Sequence, residues 1–372
     1  MSHDSIASPA DTATVQAETQ AFLAGLTRTL DTWFQQQSAG AADISEAAVP
    51  LVESISALST GGKRLRAQLL YWGWRAAGKA ADSTVPLEAA AALELFQTAA
   101  LIHDDVIDRS ATRRGMPSTH ERFSSLHTER RWEQDPAHFG SSAAILTGDL
   151  ALTWSEQLFN LAVEHAGHPS GAAEDFATMR TEVMIGQYLD IHAEVAGPDV
   201  PRDQAVQRAL DVLRYKSAKY SAEHPVALGM LLAGGDPDLV RAGRAFALPL
   251  GEAFQVRDDV LGVFGDPATT GKPAGDDLRE GKRTVVTGLH FERADRADAE
   301  VVANSLGQQD LSEVQVRAAQ EALRRSGALT ATEDLVERLT ADTFEALDQL
   351  PVGPVVRTAF RTIAQAAVRR DR

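Results

Sequence analysis

The sequence predicts an all-α fold, a single-domain helical bundle packed around a central cavity. Two observations carry this. Apolar residues recur at intervals of three and four through most of the 372 residues, the pattern of a buried helix face. Runs alternating apolar and polar residues are scarce, and turn pairs flanked by such runs are absent.

The elements follow in order. Residues 1–15, rich in Ser, Ala, Asp and Thr, are expected to form a disordered tail ahead of one domain over 16–372. Phe22, Leu23, Leu26, Leu30, Trp33 and Phe34 predict a helix over 16–37, followed by a small polar break over 38–44. A second helix ends near Leu58, where Thr60-Gly61-Gly62 stops it, and a third spans Lys63 to Ala77. Next comes an apolar helix from Pro86 to Asp108. Residues 109–140 read as a long polar segment, either a loop whose length points to function inside a folded domain or a loop with a helical part. Helices are expected at 141–166, 172–195, 202–233 and 236–264, then a loop over 265–283. Amphipathic helices, broken near Gly327 and Pro351 to Pro354, fill 284–370.

Composition narrows the function. Lys and Arg number 36 against 52 Asp and Glu, a net charge of −16. That argues against nucleic acid as a partner and against adhesion to an anionic membrane. An anionic substrate would have to be met locally, by placed cations and metal. The absence of cysteine excludes disulfides, thiolate metal sites and cysteine nucleophiles. The N-terminus lacks a basic-then-apolar signal pattern. The nearest approach to a membrane span, Ala89 to Ile102, is interrupted by Glu94 and Gln97. A cytoplasmic protein without stable membrane insertion is expected.

Two widely separated aspartate pairs carry the chemistry. Asp104-Asp105-Val106-Ile107-Asp108 is followed by Arg113-Arg114, and Asp258-Asp259 by Gly271-Lys272 and Gly281-Lys282. Acids followed by bases suit a diphosphate gripped through Mg²⁺, which takes oxygen ligands and is held by one or two carboxylates plus substrate phosphate. On a helix, Asp104 and Asp108 share one face about 6 Å apart, a like-charge cost that a cation would remove. Gly61-Gly62-Lys63-Arg64-Leu65-Arg66 opens the third helix and sets Lys63 and Arg66 three apart near its N-terminus, a plausible anion site. Neither glycine-lysine pair fits a Walker A loop.

Together these pieces resemble the trans-type, head-to-tail isoprenyl diphosphate synthases of the polyprenyl synthetase family, and most of all the bacterial geranylgeranyl diphosphate synthases. The match runs through GGKRLR (61–66), LIHDDVID (101–108), RRG (113–115) and GD (148–149), then GQYLD (186–190), KS (216–217), FQVRDD (254–259), GKPAGDDL (271–278) and GKRT (281–284). The resemblance implies metal ligation by Asp104, Asp105, Asp108, Asp258 and Asp259, with three Mg²⁺ per site. It implies an allylic diphosphate held by Arg113, Lys216 and Lys272, and isopentenyl diphosphate held by Lys63, Arg66 and Arg114. Gln97, where many members have histidine, would donate to phosphate. Gln255 and Ser217 would lie near the reacting carbons, with Lys282 near the pyrophosphate end. It further implies a homodimer.

The sequence makes four departures from the family pattern: Gly262 in place of a third aspartate, Ala67, Gln97, and the pair Val285-Val286 after Thr284. A class I terpene cyclase also uses DDxxD but needs no second diphosphate site, so GGKRLR and Arg114 count against it. A catalytically silent subunit would tend to lose motif acids that are all present here. His103 reads as a structural histidine, and Asp190 as a residue that orients Lys216 or packs a helix. Ala99 and Ala100, just before the first acids, leave room for a growing prenyl chain. Phe96, eight residues before Asp104, is expected to floor that shaft about 12 Å along the axis. The expected product is geranylgeranyl diphosphate, then farnesyl diphosphate, then longer chains.

Overall fold

Ser8 accepts a hydrogen bond from the Asp11 amide (3.1 Å) and Pro9 occupies the first turn, so helix α1 begins at Pro9 and runs to Ile44. The computed structural model describes residues 8–196, 201–265 and 274–368. The tail expected over 1–15 is thus already helical from Pro9. The break expected over 38–44 is also helix, because Ala39, Ala41 and Ala42 favour it and one interior glycine, Gly40, costs only about 1 kcal/mol.

The described residues are almost wholly helical, as the residue pattern predicts. They fall into two compact units. The first comprises residues up to Ala173 with Gly229–Gly235; the second comprises Glu174–Leu228 and the residues from Asp236 onward.

In the first unit, α2 (Val49–Ser59) and α3 (Leu65–Ala76) lead to α4 (Val85–Ile107). Phe22 of α1 stacks on Tyr71 of α3 with centroids 4.2 Å apart, and Tyr71 donates to Glu18 (2.7 Å), which also pairs with Arg75. The α4 helix is long and apolar enough to cross a membrane, but 78% of its most apolar stretch is buried inside the protein, so it is a core helix. Residues Ala89 to Ala92 are fully buried and small, which lets α6 (Pro136–His165) lie close. Ser155 of α6 donates to the Ala92 carbonyl at 2.7 Å.

The segment 109–140 is the structured alternative, a loop with a helical part. It holds a hairpin, β1 (Thr112–Arg113) with β2 (Met116–Pro117), and helix α5 (Thr119–Arg130). The hairpin turn places Arg114 at φ 54° and Gly115 at φ 74°, the left-handed pair that a tight two-residue turn requires. Its strands are too short to show alternation.

The second unit is built on α10 (Pro237–Phe264). A nearly continuous rod packs beside it: α8 (Ala205–Val212), a π-helix over Leu213–Glu223, and α9 (His224–Leu232), whose last four residues join the first unit. The helix α7 (Ala172–Ala196) supplies the other flank. Beyond the undescribed stretch come α11 (Asp276–Glu280), α12 (Val285–Arg293), α13 (Arg296–Ser305), α14 (Glu313–Arg325), α15 (Ala328–Gln349) and α16 (Pro354–Val368). Val263, Leu278, Val286, Val302, Val316 and Leu323 bury one core among them.

Candidate active site

The acids at the end of α4 come first. The Asp108 amide donates to the Asp104 carbonyl at 2.8 Å, so the two residues lie one turn apart on the helix, as their spacing predicts. They sit at the C-terminal, partially negative end of α4, where a carboxylate is disfavoured and a cation is favoured. Asp105 differs from its neighbours. It is fully buried, and Arg113 grips it from Nε (2.7 Å) and Nη2 (2.5 Å) while lying 3.6 Å from Asp104. Burial pushes the Asp105 carboxyl up, with Arg113 opposing. Asp105 is therefore placed behind Asp104 and Asp108, and Arg113 is already engaged with both adjacent acids.

The glycine-rich turn is the second feature. Gly61 and Gly62 have φ of 82° and 79°, and Arg64, at φ 52°, caps α3, so Lys63 precedes the helix instead of sharing its face with Arg66. Lys63 is exposed, and its carbonyl accepts from Gln68 at 2.7 Å. Arg64 pairs with the buried Glu94 of α4 and donates to the Ser59 carbonyl at 2.6 Å, which fastens the turn to α4. Arg114 donates to the carbonyls of Leu58 and Thr60, both at 3.1 Å. Burial lowers its pKa, and although Glu94 opposes this, the charges of Arg64, Arg113 and Arg66 lower it further. A methyl group on Gly62 would stand 3.5 Å from Nη2 of Arg114, so the hairpin brings this guanidinium beside the turn that carries Lys63 and Arg66.

Along α4, the half-buried residues Gln97, Ala100, Leu101, Asp104 and Asp108 form one stripe. Phe96 is not on it. Eight residues turn the helix by about 80° past whole turns, and Phe96 is fully buried in the core. Ala99, about 140° away from Asp104 by the same reckoning, is likewise fully buried. Phe96 is therefore off the Asp104 face on which it was expected. His103 packs over Gly148, where a methyl group would stand 2.6 Å from its ring Cδ2, and its Nε2 lies 3.2 Å from the Ile145 carbonyl and 3.4 Å from Asp149. This is the packing histidine expected, and it explains the Gly-Asp pair.

In the second unit the π-helix is held between two glycines. A methyl group at Gly186 of α7 would stand 2.6 Å from the Tyr215 carbonyl carbon, and one at Gly251 of α10 would stand 2.9 Å from the Ala218 carbonyl carbon. The first crossing brings Asp190, one turn beyond Gly186, onto Lys216 as an ion pair. Asp190 thus orients Lys216, while Gly186 packs the crossing. Ser217 is half-buried on the π-helix. An ionic network fixes the far side. Glu182 accepts from Lys219 (2.6 Å) and faces His224 Nε2 (2.9 Å). Asp175 faces His224 Nδ1 (3.1 Å) and pairs with Arg244, which also donates to Glu223 (2.9 Å). Burial alone would lower the His224 pKa, but the hydrogen bonds and charges of Asp175, Glu182 and Glu223 hold it above its ordinary value.

Asp258 and Asp259 lie on α10, and Gln255 donates to Asp259 at 3.0 Å. Burial pushes the Asp259 carboxyl well above the carboxylate range, and the charges of Asp277, Asp258 and Asp190 add to it. Lys282 pairs with Glu280. Lys272 and the terminal arginines 369, 370 and 372 lie outside the described residues. Asp277 was not singled out from sequence, although it stands in the quoted GKPAGDDL stretch; Gly262 was the available signal for it.

The donors suit a hard cation. They are oxygen ligands only, two at a helix C-terminus and the rest crowded on α10. Among the described residues no three His, Asp or Glu groups are gathered tightly enough to hold an ion unaided. Magnesium completed by substrate phosphate does not require that.

The sequence pattern of the polyprenyl synthetase family matches residues 50–323. A geranylgeranyl pyrophosphate synthase structure from Corynebacterium glutamicum, complexed with isoprenyl diphosphate and magnesium, is 36% identical, with a TM-score of 0.85 over 95% of this chain and 99% of that one. The geranylgeranyl diphosphate synthase of Saccharolobus solfataricus is 27% identical over 85% of this chain and 89% of its own length. The octaprenyl diphosphate synthase of Escherichia coli is 28% identical over 85% and 88%.

Proposed function

The chain belongs to the polyprenyl synthetase family and is a prenyltransferase, and from that premise we propose that it condenses isopentenyl diphosphate with an allylic diphosphate to give all-trans geranylgeranyl diphosphate. The observation that carries the two-diphosphate reading is the placement of Arg114, bonded to the Leu58 and Thr60 carbonyls, beside Gly62 of the turn that carries Lys63 and Arg66. A cyclase acting on one diphosphate has no use for a second anion site.

On this reading Asp104, Asp108 and Asp258 hold Mg²⁺ on the allylic diphosphate, three ions in all, with Asp105 and Asp259 behind them. Bound Mg²⁺ neutralises pyrophosphate charge and so eases its departure. The rest falls to side chains. Asp190 holds the Lys216 ammonium where it can meet leaving-group oxygens. Lys272 adds a cation to the same diphosphate, and Lys282 lies near its end. Lys63, Arg66 and Arg114 hold isopentenyl diphosphate so that its double bond faces the allylic carbon. Gln97, on the Asp104 stripe, can donate to phosphate. Gln255 and Ser217 orient the reacting carbons. The allylic carbon loses pyrophosphate, the double bond attacks it, and a proton passes from the new chain to the departed pyrophosphate.

Product length rests on Ala100, the small residue on that stripe, which leaves a growing chain unblocked beside Asp104. The exposed Ile145 and Leu146 of α6 support a homodimer. A cytoplasmic location fits the same reading. The test mixes purified chain, Mg²⁺, labelled isopentenyl diphosphate and each allylic starter in turn, and sizes the products. A C20 product is expected. A C15 product or one longer than C20 would overturn the assignment of length, and a cyclic hydrocarbon would overturn the reaction.

A further inference from the structure

A cavity of about 520 Å³ opens in the second unit, lined by none of the residues assigned to the reaction. Three helices meet around it, and each contributes one face. Val206 and Leu210 share a face of α8 by their spacing of four, as do Val285, Leu289 and Arg293 on α12. Ala331, Leu335 and Arg338 share a face of α15 by the same rule. Beside the cavity α8 and α12 meet backbone to backbone, since a methyl group on Gly288 would stand 3.2 Å from the Ala205 carbonyl carbon. Val285 is fully buried, and the other apolar residues of the lining are half-buried. The floor is therefore apolar and recessed.

The rim is cationic. Arg293 and Arg338 are both exposed, and among the described residues neither side chain has an ion pair or a hydrogen bond. Asp334, one turn before Arg338, is the one acid of the lining, and it engages neither arginine. Two cations thus face one acid, in a chain whose net charge is −16.

A guanidinium fork matches the oxygens of a phosphate or a carboxylate. A recessed apolar floor takes up hydrocarbon, and the volume lies in the range of small-molecule sites. None of the floor residues is among the large apolar side chains exposed at the surface, so nothing projects from this face to enter a bilayer. We propose that the cavity binds a free amphipathic anion. Its hydrocarbon body rests on Leu210, Leu289 and Leu335, and Arg293 and Arg338 hold its phosphate or carboxylate head. The site does not depend on the reaction proposed above, but it adjoins two elements of the candidate active site. The helix α8 runs on into the π-helix that carries Lys216, and Val285 directly follows Lys282-Arg283-Thr284.

The test follows binding by calorimetry on the full chain, with saturating Mg²⁺ and inorganic pyrophosphate to occupy the diphosphate sites of the reaction. Three ligands of equal chain length are compared below their micelle-forming concentrations: decyl phosphate, decanol and decyltrimethylammonium. Decyl phosphate should bind saturably, decanol about 10-fold more weakly, and the cation more weakly still. Arg293→Ala and Arg338→Ala should each weaken decyl phosphate binding about 10-fold, at an unchanged melting temperature because neither side chain is paired. Ala331→Phe, which fills the floor, should abolish binding; if that variant does not fold, the arginine variants and the head-group comparison decide. Equal binding of decanol, or wild-type affinity in both arginine variants, would overturn the anion assignment. Full binding by a folded Ala331→Phe would overturn the site. Absence of saturable binding by decyl phosphate refutes the proposal. In that case a changed oligomeric state of Ala331→Phe would assign the face to a second copy of the chain, and sedimentation with anionic vesicles would assign it to a membrane.

Discussion

Gly186→Ala adds a single methyl group where two helices cross. That methyl would stand 2.6 Å from the Tyr215 carbonyl carbon and 2.7 Å from Lys216 Cα, with the Lys216 amide nitrogen nearer still. Carbon atoms rest at about 3.5 Å or more, so α7 and the π-helix must separate by roughly 1 Å. Backbone has to move, because every atom in the way belongs to it. Overpacking of this kind costs about 1–3 kcal/mol. Asp190 travels with α7 and Lys216 with the π-helix, so their ion pair is drawn apart. A displacement of 1 Å at a group that grips substrate can cost on the order of 10²-fold in rate. Urea unfolding should show a lower midpoint at an unchanged slope, and kcat/KM for the allylic substrate should fall by about that factor. Ile185→Ala, at the exposed neighbouring position, should stay within about 0.5 kcal/mol of wild type. Wild-type stability and kcat/KM in Gly186→Ala would show that the crossing neither packs this tightly nor places Lys216.

Asp104→Ala should abolish turnover yet melt at or above the wild-type temperature, since it removes one of several like charges from a helix C-terminus; a lower melting point would contradict that electrostatic reading. Ala100→Phe should shorten the product, whereas Phe96→Ala should leave product length alone and cost about 3–5 kcal/mol of stability, both read by chromatography and denaturation; a longer product from Phe96→Ala would restore it as a floor. His224, raised above its ordinary imidazole value, contributes stability that is complete below the unfolded-state pKa and is lost as pH rises through the folded one. Melting temperature should therefore fall on the alkaline side of about 6.5, and His224→Gln should flatten that limb; an unchanged slope would mean that His224 is not protonated in its network.

Helices with a strong apolar face were legible from sequence because burial writes a period into it. The helix carrying Asp104 was placed to within one residue at each end. What stayed hidden depends on contacts between elements distant in sequence. Nothing near Asp105 reveals that Arg113 holds it from behind, so the motif alone groups it with Asp104 and Asp108 as a metal ligand. Helix α5 carries many charges and only three buried residues, so its period was too faint to read. Spacing alone puts Phe96 on the Asp104 face, but eight residues overrun two whole turns by about 80°. Asp277 needed the fold, since only packing of α11 on α10 shows which side chain fills the space at Gly262.

The π-helix has a consequence for comparing this chain with others. The His224 amide donates to the Lys219 carbonyl, five residues back, so the two side chains stack and share the oxygens of Glu182. In an α-helix residues five apart point about 140° away from each other, and Glu182 could not reach both. Residues four apart would serve equally well. Removing one residue between them, such as the buried Ala222, would convert the stacking from one helix type to the other and keep both partners of Glu182. Length variation among related chains should therefore be tolerated within 213–223, inside a helix, where an insertion or deletion would ordinarily rotate everything downstream.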